Sequence, residues 1–445
     1  MQNYPNKLQA CCLPKINSAH NFTSTSSAMN SRSNSSLRIL LLSPEYTPEL
    51  SGGVGTCMQE LADALCQAGC EVLIVACTYR RSGIFREMNK TVHLLEPVNK
   101  NGANKQQQSI VEGILAFNQT LISYTRKLIA EQRPDAIHCQ NWVTFIAGLQ
   151  LSVEFKIPLI TSVHYLAEPI ERWWGQVPDL AIVEQEEKMF RDATYLVAVS
   201  DSMKNLIKET YGLPGTQLSV VHNGIDAPRF LDPVLEPGAA AKLRQTIAAP
   251  DDKIILFCGR LNPQKGISAL LDSAMIVMEE YPKACLVIAG EPDSKEGSTF
   301  LREKLEQNPI LKKRIRLLGK LPRKQLALLY QIADVAVVPS VYEPFGYAAV
   351  EAMAAGAPVI ATAAGGLAEI VQHERTGILV PVNVDGNIRA VDITKLASAQ
   401  LMLLRNTATA KQFGKAGRQR VVEEFGLAKW GESMVRAYRD AINQF

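Results

Sequence analysis

From Leu37 onward the apolar positions fall into short solid runs separated by stretches with helical spacing. LRILLLS (37–43) and CEVLIVAC (70–77) are short and apolar throughout, which predicts strands buried on both faces. Between them SGGVG reads as a turn, and TCMQELADALCQAG has apolar residues three and four apart and closes at Gly69, a helix with a glycine stop. Strand, turn, helix and strand in that order predict a βαβ unit opening a parallel sheet. Further strands are predicted at 135–139, 158–163 and 195–199, about six in all, with helical patterns between them. Periodicity lapses in LSVVHNGIDAPRFLDPVLEPG (218–238), where Gly and Pro accumulate, and this is the expected domain boundary. The rhythm resumes after Asp252 with KIILFCG, ACLVIAG, RIRLLG, VAVVPS, APVIAT and GILV, separated by helical stretches such as KQLALLYQIA.

The expected architecture is α/β: two Rossmann-like, doubly wound parallel-sheet domains facing a cleft, 37–226 and 227–426. The last stretch, 427–445, is an amphipathic helix suited to crossing back onto the first domain, although its periodicity does not choose its partner. Residues 1–36 read as a disordered tail, rich in Asn and Ser and without an acidic residue before Glu45. An acid-poor, Ser-rich leader also suits a transit peptide, but Arg is sparse and no amphipathic pattern shows; Met29 is an alternative start.

Composition changes little in this picture. A chain of 445 residues with 47% hydrophobic and 20% charged residues can fill two cores. A net charge of +3 gives no electrostatic reason to expect nucleic acid. Nine scattered cysteines without a CxxC pair suggest neither a disulfide framework nor a zinc site, and reduced thiols fit a cytoplasmic enzyme. No run of 18 apolar residues predicts a transmembrane segment, which leaves peripheral membrane contact open.

Candidate chemistry clusters at predicted strand ends. SVYEPFGYAAVE (340–351) carries Glu343 in a loop and Glu351 about two helical turns further on, in a helix otherwise small and apolar, so Glu351 needs polar partners such as ribose hydroxyls or helix amides. GRLNPQKG places Arg260 and Lys265 after a strand, a forked cation and a point cation suited to a diphosphate; two solvated loop charges are the plain alternative. His164 follows the apolar PLITSV and would emerge at a strand end, as a ligand contact or a structural histidine. Trp173 and Trp174 are weak acceptor-site candidates, at least one of them expected in the core. In SGGVG, Gly53 opens no dinucleotide fingerprint, because Met58 stands where G-x-G-x-x-G needs glycine; the turn is either a ligand-approach site or a plain tight turn. There is no Asp-x-Asp pair to hold a divalent metal and no P-loop, so no metal or cofactor is expected.

GGVG, His164, VSDSM (199–203), NGID (223–226), GRLNPQKG and E-P-F-G-x4-E, in this order, resemble the retaining family 4 glycosyltransferases of the GT-B fold, from about Leu37 to the C-terminus. The resemblance implies transfer of a hexose from a nucleoside-diphosphate sugar to an acceptor hydroxyl, without metal. Arg260 and Lys265 would hold the diphosphate and Glu351 the ribose. Glu343 with the backbone of Phe345 and Gly346 would hold the sugar and its phosphate, and His164 would meet the sugar near its anomeric carbon. Gly53 would close over the donor. His164, Glu343, Arg260 and Lys265 are thus the implied catalytic residues. HCQNW (138–142) departs from the family's His-x-His-x-Trp, which affects the acceptor side, whereas HYLAEP and PEYTPELSGGVGT are similar to bacterial glycogen synthases and lean toward a glucosyl donor. The base would be met mainly by backbone groups near Leu321, which leaves it unread. A non-hydrolysing sugar-nucleotide epimerase and a silent sugar-nucleotide-binding protein are the competing readings.

Overall fold

The computed structural model describes residues 36–46, 53–78, 82–96, 110–213, 218–231, 238–386 and 388–445. The expected tail through residue 35, the alternative start Met29 and the Ser51–Gly52 part of the first glycine turn lie outside the described residues.

The first sheet contains β1 (Arg38–Ser43), β2 (Glu71–Cys77), β3 (Gly83–Glu87), β4 (Lys90–Leu95), β5 (Ala136–Gln140), β6 (Leu159–Val163), β7 (Tyr195–Ala198) and β8 (Leu218–Val220), in the order 3-4-2-1-5-6-7-8. All its pairings are parallel except β3 with β4. Eight strands replace the six expected. The hairpin β3–β4 escaped because β3 is exposed and carries no buried-strand signature, and β8 is three residues inside the segment read as a boundary.

The second sheet contains β9 (Lys253–Cys258), β10 (Ala284–Ala289), β11 (Ile315–Gly319), β12 (Val335–Val338), β13 (Val359–Thr362) and β14 (Gly377–Val380), in the order 11-10-9-12-13-14 and wholly parallel. A separate antiparallel hairpin, β15 (Val382–Asp385) and β16 (Ile388–Val391), follows it.

The solid apolar runs are explained by burial on both faces. In β1, Leu40 and Leu42 enter one core and Ile39 and Leu41 another; in β9, Ile254 and Leu256 part from Ile255 and Phe257 in the same way.

The final helix, Leu427–Gln444, lies on the first sheet's side, against the helix Gly53–Gln67. Leu427, Trp430, Met434, Ala437, Tyr438 and Ala441 form its buried stripe and join Ile39, Leu41, Met58, Leu61 and Leu65 in one core. Each large side chain so removed from water contributes roughly 1.5–3 kcal/mol. Gly431 permits the approach: a Cβ there would stand 2.3 Å from the Ala64 carbonyl oxygen. The Tyr438 hydroxyl and His138 Nδ1, 2.7 Å apart, pin the helix to β5.

Both sheets reverse direction of winding once, between β1 and β5 in the first and between β9 and β12 in the second. At such a switch point the loops leaving neighbouring strands part to opposite faces and leave a crevice at the strands' carboxyl ends. Gly53, Arg260, Lys265 and Glu343 follow β1, β9 and β12 at these points, and His164 follows the neighbouring β6.

Candidate functional site

The loop after β9 and the loop after β12 meet at the second switch point. Asn262 caps a short 3-10 turn, Pro263–Lys265, by accepting from the Lys265 amide at 3.1 Å. Gly266 follows at φ +68°, and a Cβ there would stand 1.9 Å from the Pro339 carbonyl oxygen, so only glycine lets the turn press against the end of β12. The Val341 amide then donates to the Gln264 carbonyl at 2.8 Å. This backbone clamp delivers the Lys265 ammonium to Glu343 Oε2 at 2.5 Å, where the Ser340 hydroxyl also donates at 3.1 Å. Arg260, five residues before Lys265 on the same loop, has 65% of its side chain exposed and a long contact, 3.9 Å, to Asp293.

Phe345 is buried against Tyr347 and Phe425, so its backbone alone is available to a ligand. Gly346, at φ +126°, precedes the helix Tyr347–Ala355, and no side chain caps that helix. Two turns on, Glu351 is 9% exposed.

Its protein partners come from the helix Arg323–Ile332. Neither the helix amides nor open solvent meets it; Arg323 donates from Nη2 and Nε to Glu351 Oε1 at 2.7 and 3.2 Å, and the Tyr330 hydroxyl reaches Oε2 at 3.3 Å. Arg323 also donates from Nη1 to Glu60 Oε1 at 2.7 Å. Sequence reasoning missed both Arg323 and Glu60. Arg323 opens a helix after Pro322 and Glu60 sits in an amphipathic helix, patterns shared by ordinary solvated charges. In the folded chain Glu60 is buried to 0% exposure.

His164 leaves the end of β6 on the first domain's wall. Its amide donates to Asn141 Oδ1 at 2.6 Å and its Nε2 to Gln140 Oε1 at 2.7 Å. Asn141 holds φ +50°, a left-handed conformation that Asn tolerates better than most residues, at the start of the helix Asn141–Phe155. Burial lowers His164 to about 4, so the ring is neutral at pH 7 and its Nδ1 carries a lone pair. Within HCQNW, therefore, Gln140 and Asn141 hold His164, and His138 is buried between Ser162 and Tyr438. Burial, and after it the neighbouring Glu171 and Glu186 carboxylates, raise the adjacent Tyr165 phenol, while the Arg260 guanidinium opposes that shift.

Gly53 is the first residue of the Gly53–Gln67 helix, beyond β1, and the Gly55 amide donates to Glu45 Oε1 at 2.9 Å. Trp173 does not stand open to an acceptor. Arg389 of β16 lies over its ring at 3.5 Å from the centroid and Tyr342 meets it edge-on at 4.8 Å, a stack joining the two domains. The Trp174 side chain lies outside the described residues.

VSDSM and the stretch around NGID fasten the domains together. The Ser200 hydroxyl donates to the Pro344 carbonyl at 2.7 Å, and Glu369 accepts from the Asp201 and Ser202 amides at 2.9 and 2.8 Å and meets His222 Nε2 at 2.7 Å.

This geometry has known counterparts. Residues 240–420 match the family described as glycosyl transferases group 1, and residues 51–229 match glycosyltransferase family 4. An uncharacterised glycosyltransferase of Methanocaldococcus jannaschii is 33% identical over 365 residues, covering 80% of this chain and 88% of that protein. A glycogen synthase of Mycobacterium tuberculosis is 28% identical over 403 residues, 87% of this chain and 91% of its own. The solved structure of a sucrose-phosphate synthase from Thermosynechococcus elongatus aligns with a TM-score of 0.74 at 25% identity, covering 92% of this chain and all of that one. Two parallel-sheet domains closed on a cleft by their strand ends, together with these likenesses, make this chain a member of the family 4, group 1 glycosyltransferases of the GT-B fold.

Proposed function

We propose that this glycosyltransferase moves a hexose, glucose or a close relative, from a nucleoside-diphosphate sugar to an acceptor hydroxyl with retention of configuration and without a metal ion. The observation that carries the reading is the meeting of Lys265 with Glu343 at the switch point, with an exposed Arg260 on the same loop. A diphosphate entering there takes the Lys265 ammonium as a point charge and the Arg260 guanidinium as a fork. Glu343, relieved of Lys265, turns its oxygens to sugar hydroxyls, and the uncapped amides after Gly346 face the phosphate. Glu351 receives the ribose.

In the transfer the bond from the anomeric carbon to the phosphate oxygen breaks, and the bond to the acceptor oxygen forms on the same face. The acceptor proton passes to the departing phosphate. The negative charge that grows on the leaving group is stabilised by two cations already in place, so no side-chain nucleophile is required. His164, neutral through burial, lines the sugar without adding charge near an oxocarbenium-like centre.

The first domain, 37–226, then serves the acceptor side and the second, 227–426, the donor. The glucosyl preference is supported by HYLAEP and by the name of the mycobacterial relative. A cytoplasmic setting is supported by the seven described cysteines, none of which forms a disulfide. No helix among those residues is long and apolar enough to cross a membrane.

The test is a screen of UDP-, ADP- and GDP-sugars for nucleotide release with and without candidate hydroxyl acceptors. Acceptor-dependent release from a glucosyl donor is expected. Binding of every donor with no turnover would sink the enzymatic reading, and inversion at the anomeric carbon of the product would sink the retaining one.

A further inference from the structure

Glu60 is an expensive residue to keep. It is fully buried, its Oε2 has no hydrogen-bond partner among the described residues, and its Oε1 meets only Arg323 at 2.7 Å and, at 3.4 Å, the Asp226 amide. A buried carboxylate with an unsatisfied oxygen costs stability unless something else compensates, and replacing a whole buried ion pair by apolar residues would often be neutral. Its strong partner stands 263 positions away in the other domain. Arg323 in turn spends its remaining edge, Nε and Nη2, on a single oxygen of Glu351.

A guanidinium is planar and rigid, so fixing Nη1 on Glu60 fixes the plane in which Nε and Nη2 point. Both donors then fall on Oε1 of Glu351 and leave Oε2 with only the long contact from Tyr330. A carboxylate offers about four lone-pair positions. Arg323 and Tyr330 take three of them, and the one left, on Oε2, remains for an incoming hydroxyl.

We propose that Glu60 and Arg323 are positioning residues that set Glu351 for the donor ribose, so that the ribose is gripped fully only when the two domains are together. The chain Glu60–Arg323–Glu351 links a helix of the first domain to the nucleotide side of the second. Whatever strengthens the ribose contact therefore favours the closed arrangement, and closure strengthens the ribose contact, because coupling between two equilibria is reciprocal. The proposal rests on the reading of Glu351 as the ribose ligand.

The experiment compares the affinity of the full-length protein for a nucleoside diphosphate with that for its 2′,3′-dideoxy analogue, using whichever of UDP, ADP and GDP binds. The wild type is expected to prefer the ribonucleotide at least about tenfold, the effect of losing charge-assisted hydrogen bonds. Glu351→Gln removes most of that preference if Glu351 meets the ribose. Glu60→Leu and Arg323→Lys each reduce it at least about threefold, while Glu60→Gln, which keeps an oxygen for Arg323, restores part of what Glu60→Leu loses. A melting temperature for each variant separates this from a folding defect, which would not distinguish the two ligands. A wild-type preference in Glu60→Leu alongside its loss in Glu351→Gln overturns the coupling and leaves the ribose assignment standing. An unchanged preference in Glu351→Gln overturns the ribose assignment and the coupling with it, as does failure of all three nucleotides to bind.

Discussion

The two switch points use the same crevice geometry in opposite ways. At the second, between β9 and β12, ionised side chains converge: Lys265 on Glu343 and Arg323 on Glu351, with Arg260 on the loop that carries Lys265. Beside the first, the side chains around His164 are neutral: Gln140 and Asn141 leave β5 to hold it, and burial keeps the ring uncharged. A parallel sheet supplies an empty corner, and the loop residues decide whether that corner receives an anion or a neutral surface. The contrast also bears on rate. Charge that develops on a leaving group must be met where it develops, and a second cation on the opposite wall would oppose an oxocarbenium-like sugar.

The largest expected effect comes from removing charge at the second corner. Lys265→Ala should lower kcat/KM about 100- to 1,000-fold, the usual cost of one preorganised transition-state donor. Its cost in unfolding free energy should stay within about 1–2 kcal/mol, because only one side-chain contact is lost. Steady-state kinetics with a thermal melt reads both, and a variant with wild-type turnover would remove Lys265 from the site.

A smaller effect is expected at the first corner. Gln140→Leu deprives His164 Nε2 of its acceptor, and a neutral hydrogen bond of about 1 kcal/mol translates into a fivefold to tenfold fall in kcat/KM. The ring's nitrogen chemical shifts should show the loss of a single tautomer. Retention of one Nε2-protonated form in the variant would mean that something other than Gln140 sets it.

A third effect is expected in the pH dependence of stability. Burial lowers His93 to about 4, His138 to about 3 and His164 to about 4, against an ordinary value of about 6.5 in the unfolded chain. Across that interval the unfolded state binds more protons, so unfolding free energy rises with pH; the contribution is whole above about 6.5 and is lost as pH falls toward 4. Glu186, pushed up to about 7 by burial, acts in the other sense between its unfolded value and 7, and the three histidines outweigh it. Thermal melts from pH 7 to 4 should show a falling midpoint. Substituting His164 by Asn should make the fall shallower, and an unchanged slope would place its titration elsewhere.

Much of this was legible along the chain. Solid apolar runs such as LRILLLS and KIILFCG announced strands covered on both faces, and glycines marked the turns that follow them. Arg260, Lys265, Glu343 and His164 stand at strand ends because a run of apolar residues stops just before each, a local signal. The hairpin β3–β4 was not legible, since its exposed outer strand has no core-facing run. Trp173 shows the same limit: an aromatic reads as a candidate surface for sugar until Arg389 is found covering it.

What the sequence by itself determined was the alternation of strand and helix, the two sheets and the residues that leave their ends, because each depends on solid apolar runs or on helical spacing, both written locally. What only the tertiary structure decided was partnership. Glu60 and Arg323 are each unremarkable in their own segments, Glu351 is conspicuous but its partners are not written beside it, and Tyr438 finds His138 across 300 positions. A charge or a hydroxyl has no sequence period; its meaning is set by what is brought within 3 Å of it, and in a chain folded into two facing domains those neighbours come from almost anywhere.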